Sequence, residues 1–141
     1  MPHYSYSISL RVFHPSIDPE EISQTLSLTA ARMCKVGAPR QTPKGTPLEG
    51  VYRETFWYTK IVPEGERSSN DTLLEEFLLD VSQQLQPHRE FFARVRAEEG
   101  RAELYLGTFG DRNYGFEFSP QLLASFGELG VSLSFDVYPG A

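Results

Sequence analysis

The sequence predicts an α+β fold, with one mostly antiparallel five-stranded sheet and helices packed on it. Three observations lead to this fold class. Several stretches alternate apolar and polar residues, which is typical of strands with one buried face. Between them, apolar residues recur every three or four positions, as in amphipathic helices. The elements follow the order β-α-β-α-β-β-α-β, and without its first two elements this order is a split βαβ arrangement.

The first strand and the first helix have the strongest local signals. From Tyr4 to Val12, apolar side chains occupy one face and Ser or Arg side chains occupy the other. A short helix follows, because Asp18 can cap it and Pro19 suits its first position. The two glutamates after Pro19 suit the positive end of the helix dipole. We expect this helix to run to about Leu26.

A long irregular segment leads into the second strand. The segment Thr29–Gly50 lacks periodicity and is rich in proline, so we expect an ordered loop with room for one helical turn at Ala30–Cys34. The stretch Tyr52–Val62 is rich in aromatic residues and Thr, which favours a strand. Its Trp57 and Tyr58 point to opposite faces, so we expect this strand to be covered on both of its faces.

The middle of the chain predicts a long helix with a break. Either Ser69 or Asn70 caps it, and an apolar stripe begins at Leu74. Pro87 kinks or restarts the helix, because proline lacks an N–H group and clashes with the preceding turn. The helical pattern continues to a stop at Gly100.

The last third of the chain predicts a hairpin, a helix and a final strand. The hairpin joins strands at residues 102–106 and 114–118 through the turn "GDRNYG". Ser119 and the following proline open a helix that turns Leu122, Leu123 and Phe126 to the core, and Gly130 ends it. Period two then predicts a strand over residues 131–137. The 141 residues suit a single domain, residues 1–141.

Three quoted segments together carry a resemblance to a known family. They are "ISLRVFHPSIDPEEIS", "KVGAPRQTPKGTPLEGVYRETFW" and "LYLGTFGDRNYGFEFSPQLLASFGELGVSLSFDVY". Over nearly its whole length the chain resembles the bacterial family called domain of unknown function 4279. The resemblance implies an intact, stand-alone domain. It brings no established activity, catalytic residues or cofactor.

Charge and cysteine content limit the functions that we expect. The net charge is −6 and the chain has no basic block, so we do not expect nucleic-acid binding. The same charge would suit a basic protein partner. Cys34 is the single cysteine, which excludes an internal disulfide and indicates a reducing compartment. The N-terminal residues resemble neither a signal peptide nor a membrane span, so we expect a cytoplasmic bacterial protein.

The proline-rich loop is the first candidate binding site. Arg40 and Lys44 could meet carboxylates of a partner or a small anion, and Tyr52 and Trp57 could supply an aromatic anchor. The alternative is a loop pinned by proline, with Trp57 in the core. A phosphate loop is not expected, because Lys44 precedes its glycine and no helix follows.

The hairpin turn is the second candidate. Asp111 and Arg112 could act as exposed contacts at the end of the sheet. The alternative is a purely structural turn, because Asp and Asn are common in turns for backbone reasons.

Catalytic and metal-binding patterns do not emerge. His3, His14 and His88 show no ligand spacing, and surface or capping roles explain them. Cys34 lies beside Lys35, which could lower the pKa of its thiol, but no base for it can be located. We therefore expect no metal, no cofactor and no catalytic residue.

The first functional hypothesis is a non-catalytic protein-binding module, in its sharpest form an immunity-type protein that masks a basic toxin. The second is a domain that binds a small ligand or anion between the loop and the sheet, near Arg40, Lys44 and Trp57. The third is an enzyme of unrecognised type, which would need a cleft with two convergent titratable groups. A homodimer formed through an edge strand is also open, with the first strand as the candidate edge.

Overall fold

The computed structural model describes residues 3–140, and an α+β fold organises them. The strands are β1 (Ser5–His14), β2 (Arg32–Cys34), β3 (Pro39–Gln41), β4 (Pro47–Val51), β5 (Thr55–Lys60), β6 (Arg67–Ser68), β7 (Arg101–Gly110) and β8 (Val131–Pro139). The α-helices are α1 (Pro19–Leu26), α2 (Leu74–Leu85), α3 (Arg89–Ala97) and α4 (Pro120–Leu129).

The main sheet has the strand order β2-β5-β1-β7-β8, and the two-residue β6 pairs with the start of β1. Every neighbouring pair is antiparallel except β7 and β8, which run parallel. The predicted α+β fold with a mostly antiparallel sheet is confirmed. The first strand as a dimerisation edge is wrong, because β1 is central and is hydrogen-bonded on both sides.

The core lies between the helices and one face of the sheet. In β1, the alternate apolar side chains are all buried, as the period-two pattern predicts: Tyr4, which immediately precedes the strand, Tyr6, Ile8, Leu10 and Val12. They pack with the buried residues of all four helices in one cluster. The helices therefore cover a single face of the sheet, and among residues 3–140 no helix lies over the opposite face.

The caps of α1 and the break after α2 also agree with the sequence. The side chain of Asp18 accepts a hydrogen bond from the backbone N–H of Glu20 at 3.0 Å, and Pro19 takes the first helical position. A short 3₁₀ helix at Gln86–His88 separates α2 from α3 and contains the proline that predicts the break. Proline removes an intrahelical donor, which explains the change of helix type.

The cap of α2 differs from the prediction. Its N-cap is Leu73, without a side-chain hydrogen bond, and neither Ser69 nor Asn70 caps it. The backbone N–H groups of Asp71 and Thr72 donate to the carbonyl of Ser68 instead. This turn places the polar run before the helix, so the helix begins three residues after the start that an Asn70 cap predicts and four after the start that a Ser69 cap predicts.

The segment predicted as a loop contains three strands. Residues Arg32–Cys34 form β2, which pairs with the outer edge of β5, and no helical turn forms at Ala30–Cys34. Strands β3 and β4 form a separate hairpin. A strand forms in place of the helical turn because the backbone N–H and C=O groups of β2 can hydrogen-bond to the free edge of β5.

The predicted fourth strand at residues 114–118 does not form. This stretch is irregular, and its aromatic side chains form a cluster in which Tyr114 stacks on Tyr4 and Phe116 contacts Phe135. The place beside β7 belongs to β8, which pairs with it in parallel after α4 has crossed over. In α4, Leu122 and Phe126 are buried as predicted, whereas Leu123 is exposed.

Two glycines near the C-terminal end of α4 should respond in opposite ways when each is replaced by alanine. Gly130 has φ +73°, and a Cβ atom there would collide with the Arg96 guanidinium, so Gly130→Ala should cost about 1–2 kcal/mol. Gly127 lies within the helix with open space around it, so Gly127→Ala should stabilise by about 0.5–1 kcal/mol. Urea unfolding of both variants checks the prediction, and a Gly130→Ala protein as stable as wild type would contradict it.

Candidate binding surface

The helix-free face of the sheet, here called the open face, carries an unusual set of side chains. The registers place the following residues on it: Ser5, Ser7, Ser9, Arg11 and Phe13 of β1, Arg32 and Cys34 of β2, Phe56, Tyr58 and Lys60 of β5, Arg101, Glu103, Tyr105, Gly107 and Phe109 of β7, and Ser132, Ser134, Asp136 and Tyr138 of β8. A solvated sheet face is ordinarily polar. This one combines aromatic rings with arginines, which is typical of binding surfaces.

Two arginines on the open face lie over aromatic rings. The guanidinium carbon of Arg11 is 3.8 Å from the ring centroid of Tyr105, and that of Arg101 is 3.9 Å from the centroid of Phe13. A guanidinium over a ring gains cation–π attraction and loses mobility. The two positive charges are therefore held at defined positions on the surface.

Glu103 lies between the two arginines but pairs loosely with both. Its carboxylate oxygens are 3.9 Å from Arg11 Nη1 and 3.8 Å from Arg101 Nη1. The Nε atom of Arg11 is buried and has no hydrogen-bond partner within residues 3–140. Because the contacts to Glu103 are long and both side chains are partly exposed, the Nη groups of the two arginines remain available to an outside acceptor.

A carboxylate shared by two tyrosines lies at the β8 side of the open face. Asp136 Oδ2 accepts hydrogen bonds from the hydroxyls of Tyr105 at 2.5 Å and Tyr138 at 2.6 Å. These bonds lower the pKa of Asp136, raise the pKa of Tyr105 to about 12 and raise the pKa of Tyr138. At neutral pH the group is a fixed negative charge with protonated phenols.

This group gives a prediction that titration can test. Replacing Asp136 with Asn removes the charge, so the pKa of Tyr105 should fall from about 12 towards its ordinary value of about 10. The ultraviolet absorbance of tyrosinate, followed against pH, reports the change, and the exposed Asp111→Asn serves as the control. Titration curves that coincide for Asp136→Asn and wild type would contradict the shared carboxylate.

The stability that this group contributes should decrease both at acidic pH, because of Asp136, and at alkaline pH, because of Tyr105. The pKa of Asp136 is lowered in the folded state, so its contribution is present above its unfolded pKa and is lost on acidification. The pKa of Tyr105 is raised, so its contribution is complete below pH 10 and is lost as the pH rises towards 12.

The β3–β4 hairpin is attached to the open face through Arg32. This side chain lies opposite Tyr58 in the register, and its Nη2 donates to the carbonyl of Gln41 at 2.9 Å. The hydroxyl of Tyr52 donates to the same carbonyl at 3.0 Å and accepts from the backbone N–H of Gln41 at 3.1 Å. The hairpin is therefore continuous with the open face at the β2 edge.

A groove on the hairpin brings together two of the predicted residues. It has a volume of about 750 Å³ and is lined by Arg40, Glu49, Gly50, Val51, Tyr52 and Arg53. Arg40 Nη1 donates to the carbonyl of Glu49 at 3.1 Å, which ties the guanidinium to β4. Lys44 is exposed in the turn between β3 and β4. The hairpin thus presents Arg40, Lys44 and Tyr52 on one element.

The other predicted residues lie elsewhere. Trp57 is 0% exposed and its Nε1 donates to Ser23 Oγ at 2.9 Å, so it belongs to the core, which the sequence gives as the alternative. Asp111 and Arg112 are exposed directly after β7, where that strand pairs with β8. Strands β5 and β1 separate them from the hairpin edge, so they do not join the hairpin site.

The titratable groups that catalysis would need are dispersed. His14 is 2% exposed, and its Nδ1 accepts from the backbone N–H groups of Ser16 at 3.0 Å and Ile17 at 2.9 Å, which fixes the turn between β1 and α1. Its Nε2 lies 2.7 Å from a carboxylate oxygen of Glu98. Cys34 is buried in β2, which is an edge strand of the main sheet. Within residues 3–140, no three or more His, Cys, Asp or Glu side chains gather where a metal ion could bind.

The residues at the centre of the open face were not predicted from the sequence as binding residues. In the sequence, Arg11 is one of the polar residues that alternate with the buried residues of β1. Tyr105 and Asp136 occupy the equivalent polar positions in the alternating patterns of two later strands. The available signal was that the polar side of each strand also contains Arg, Tyr or Phe. Only the strand order brings these separate signals onto one surface.

Comparison with known proteins places the chain in a family. Neither a curated protein nor a solved structure matches it. The family model described as domain of unknown function (DUF4279) matches residues 4–140. The match spans every strand and helix of the fold, and the resemblance carried by the three sequence segments is confirmed. The chain therefore belongs to the family of the domain of unknown function 4279.

Proposed function

We propose that this protein is a non-catalytic protein-binding module that holds its partner on the open face and the β3–β4 hairpin. The observation that carries the proposal is the helix-free sheet face on which arginines lie over aromatic rings. Tyr and Arg are enriched among the residues that dominate binding energy at protein interfaces. Rings and guanidinium groups that are already ordered lose little entropy when a partner docks.

The charge of this surface differs from that of the whole chain. Basic side chains outnumber acidic ones on it. The basic residues are Arg11, Arg32, Arg40, Lys44, Lys60 and Arg101, and the acidic ones are Glu49, Glu103 and Asp136. The chain as a whole has a net charge of −6. A partner segment with carboxylates beside apolar side chains fits this surface best, because its charges complement the arginines.

An immunity-type function, in which a basic protein is masked, would use the other side of the molecule. Helix α2 and the turn before it carry Asp71, Glu75, Glu76 and Asp80, and the sequence has no Lys or Arg from residue 68 to residue 88. This acidic side supports the basic partner that the net charge suggests. It is the second form of the protein-binding proposal.

A small anionic ligand is the second candidate function. The hairpin groove has a volume of about 750 Å³, and Arg40, Tyr52 and Arg53 are among the residues that line it. Guanidinium groups bind carboxylates and phosphates through paired hydrogen bonds. The groove is shallow and its arginines are exposed, so it supports an anion at the rim of the partner surface as readily as a free ligand.

The proposal includes a cytoplasmic location in a bacterium. The single cysteine, Cys34, supports a reducing compartment. Within the described part of the chain, none of the helices has both the length and the apolar character needed to span a bilayer.

Capture from a lysate with two sets of charge-reversal variants tests the proposal. The open-face set is Arg40→Glu, Lys60→Glu and Arg101→Glu, and the matched helical set is Glu76→Lys and Asp80→Lys. All five side chains are exposed, so both sets should fold, as circular dichroism and thermal melting can verify. We expect one stoichiometric protein with wild type and with the helical set, and its loss with the open-face set.

The other outcomes have definite meanings. A basic protein that the helical set loses and the open-face set keeps would contradict the open-face form and favour the immunity-type form. If neither wild type nor variants retain a protein, protein binding is contradicted, and thermal-shift screening of small carboxylates and phosphates against Arg40→Glu tests the anion candidate.

A further inference from the structure

The outer edge of β8 is a long strand edge without a partner among residues 3–140. Gly140 donates its N–H to the carbonyl of Gly110, and Pro139, which has no N–H, lies opposite Gly110 in the register. Backbone groups alternate sides along a strand. The N–H and C=O groups of Val131, Leu133, Phe135 and Val137 therefore point outward, away from β7.

This edge has little of the protection that strand edges usually carry. Natural edges are blunted by lysines, inward charges, bulges or proline. In β8 the single charged residue is Asp136, and its carboxylate is held by Tyr105 and Tyr138. Pro139 stands only at the end of the strand. Phe135 and Val137 are nevertheless 36% and 52% exposed.

The residue pattern of β8 is complementary to itself in one antiparallel register. With Phe135 opposite its own copy, all nine residues of the strand find a partner, and Leu133 lies opposite Val137 on the helix side. On the open face, Ser134 lies opposite Asp136, where a hydroxyl can donate to the carboxylate. A register centred on Asp136 would instead place two carboxylates opposite each other, which is destabilising.

We propose that the protein forms a two-fold symmetric homodimer by antiparallel pairing of β8 with β8 of a second copy, centred on Phe135. The two sheets then form one continuous sheet, with the helices of both copies on the same side. Outward backbone groups along a strand of about 30 Å become paired. The contact is isologous, so it closes at two copies and does not propagate.

The dimer does not depend on the proposed function. The rings and guanidinium groups of β1, β5 and β7 face the solvent side of the sheet in either state. Partner capture and dimerisation can therefore fail separately.

Sedimentation equilibrium of the full chain, with four variants, tests this inference. Wild type should have twice the protomer mass of 16.0 kDa. Val137→Pro removes an outward N–H and no internal hydrogen bond, so the dimer dissociation constant should rise by at least about tenfold. The matched control, Val137→Thr, keeps the N–H and should remain dimeric.

Phe135 provides a test of the register that does not depend on the proline variant. Phe135→Lys alone and Phe135→Glu alone should each be monomeric, since like charges would face each other across the axis. An equimolar mixture of the two should regain the dimer mass. A wild type that stays at 16.0 kDa at all concentrations, or a Val137→Pro protein or a single Phe135 variant that remains dimeric, would overturn the proposal.

Discussion

Replacing Trp57 with alanine lowers the free energy of unfolding by about 3–5 kcal/mol. The indole is 0% exposed and packs in the core between β5 and α1. Truncation removes the largest buried side chain and leaves a cavity that the surrounding residues fill only in part. It also removes the hydrogen bond from the indole Nε1 to Ser23 Oγ.

Trp57→Phe is the matched control, because it keeps an aromatic ring and loses the N–H donor. Ser23 is only half-buried, so water can replace that bond and the cost should be clearly smaller, about 1–2 kcal/mol. Urea unfolding measures both values. A Trp57→Ala protein that keeps wild-type stability but loses its partner would show that Trp57 is an exposed binding residue.

His14→Ala should be the second large loss of stability, about 2–4 kcal/mol, because it leaves buried polar groups without partners. The ring Nδ1 accepts from the backbone N–H groups of Ser16 and Ile17, and Nε2 bonds to Glu98. Because Nδ1 accepts two hydrogen bonds, the ring N–H is at Nε2, and it donates a hydrogen bond to the Glu98 carboxylate.

Two conservative variants separate the contributions of the two ring nitrogens. The side-chain oxygen of Asn can accept in place of Nδ1, so His14→Asn should retain more stability than His14→Ala. Glu98→Gln, at a half-exposed side chain, should cost less than either. The hydrogen bond from His14 is the main cause that lowers the pKa of Glu98, so this contribution is present above pH 4.5 and is lost on acidification. Equal losses for Ala and Asn would contradict the role of His14 Nδ1 as the acceptor that fixes this turn.

Much of the fold follows from local patterns. The buried face of β1, the Asp18 cap of α1, the break at Pro87 and the end of α4 at Gly130 each depend on residues close in sequence. Local rules suffice there because the same few residues supply both the signal and the contact.

Two parts of the fold depend on distant partners and could not be predicted locally. Strand β2 exists because β5 offers an unpaired edge, and its three residues have no strand pattern of their own. The aromatic alternation at residues 114–118 has the period of a strand, but its rings pack against Tyr4 and Phe135. Periodicity alone does not distinguish these two uses of alternating side chains.

The binding surface was predicted at its rim and missed at its centre. Arg40 and Lys44 lie on the hairpin and Tyr52 directly follows it, so their closeness in sequence was enough to group them. Arg11, Tyr105 and Asp136 come from three strands far apart in sequence. They meet only through the order β1-β7-β8, which the sequence analysis did not predict.

The most direct test of the proposed binding surface is hydroxyl-radical footprinting of the protein alone and in complex with its captured partner. We predict that oxidation of Tyr58 and Tyr105 on the open face falls at least about fivefold in the complex, as expected for buried hot-spot residues. Oxidation of Leu79 and Leu123, which are exposed on α2 and α4, should stay unchanged. Protection of those two leucines with unchanged oxidation of both tyrosines would contradict the account.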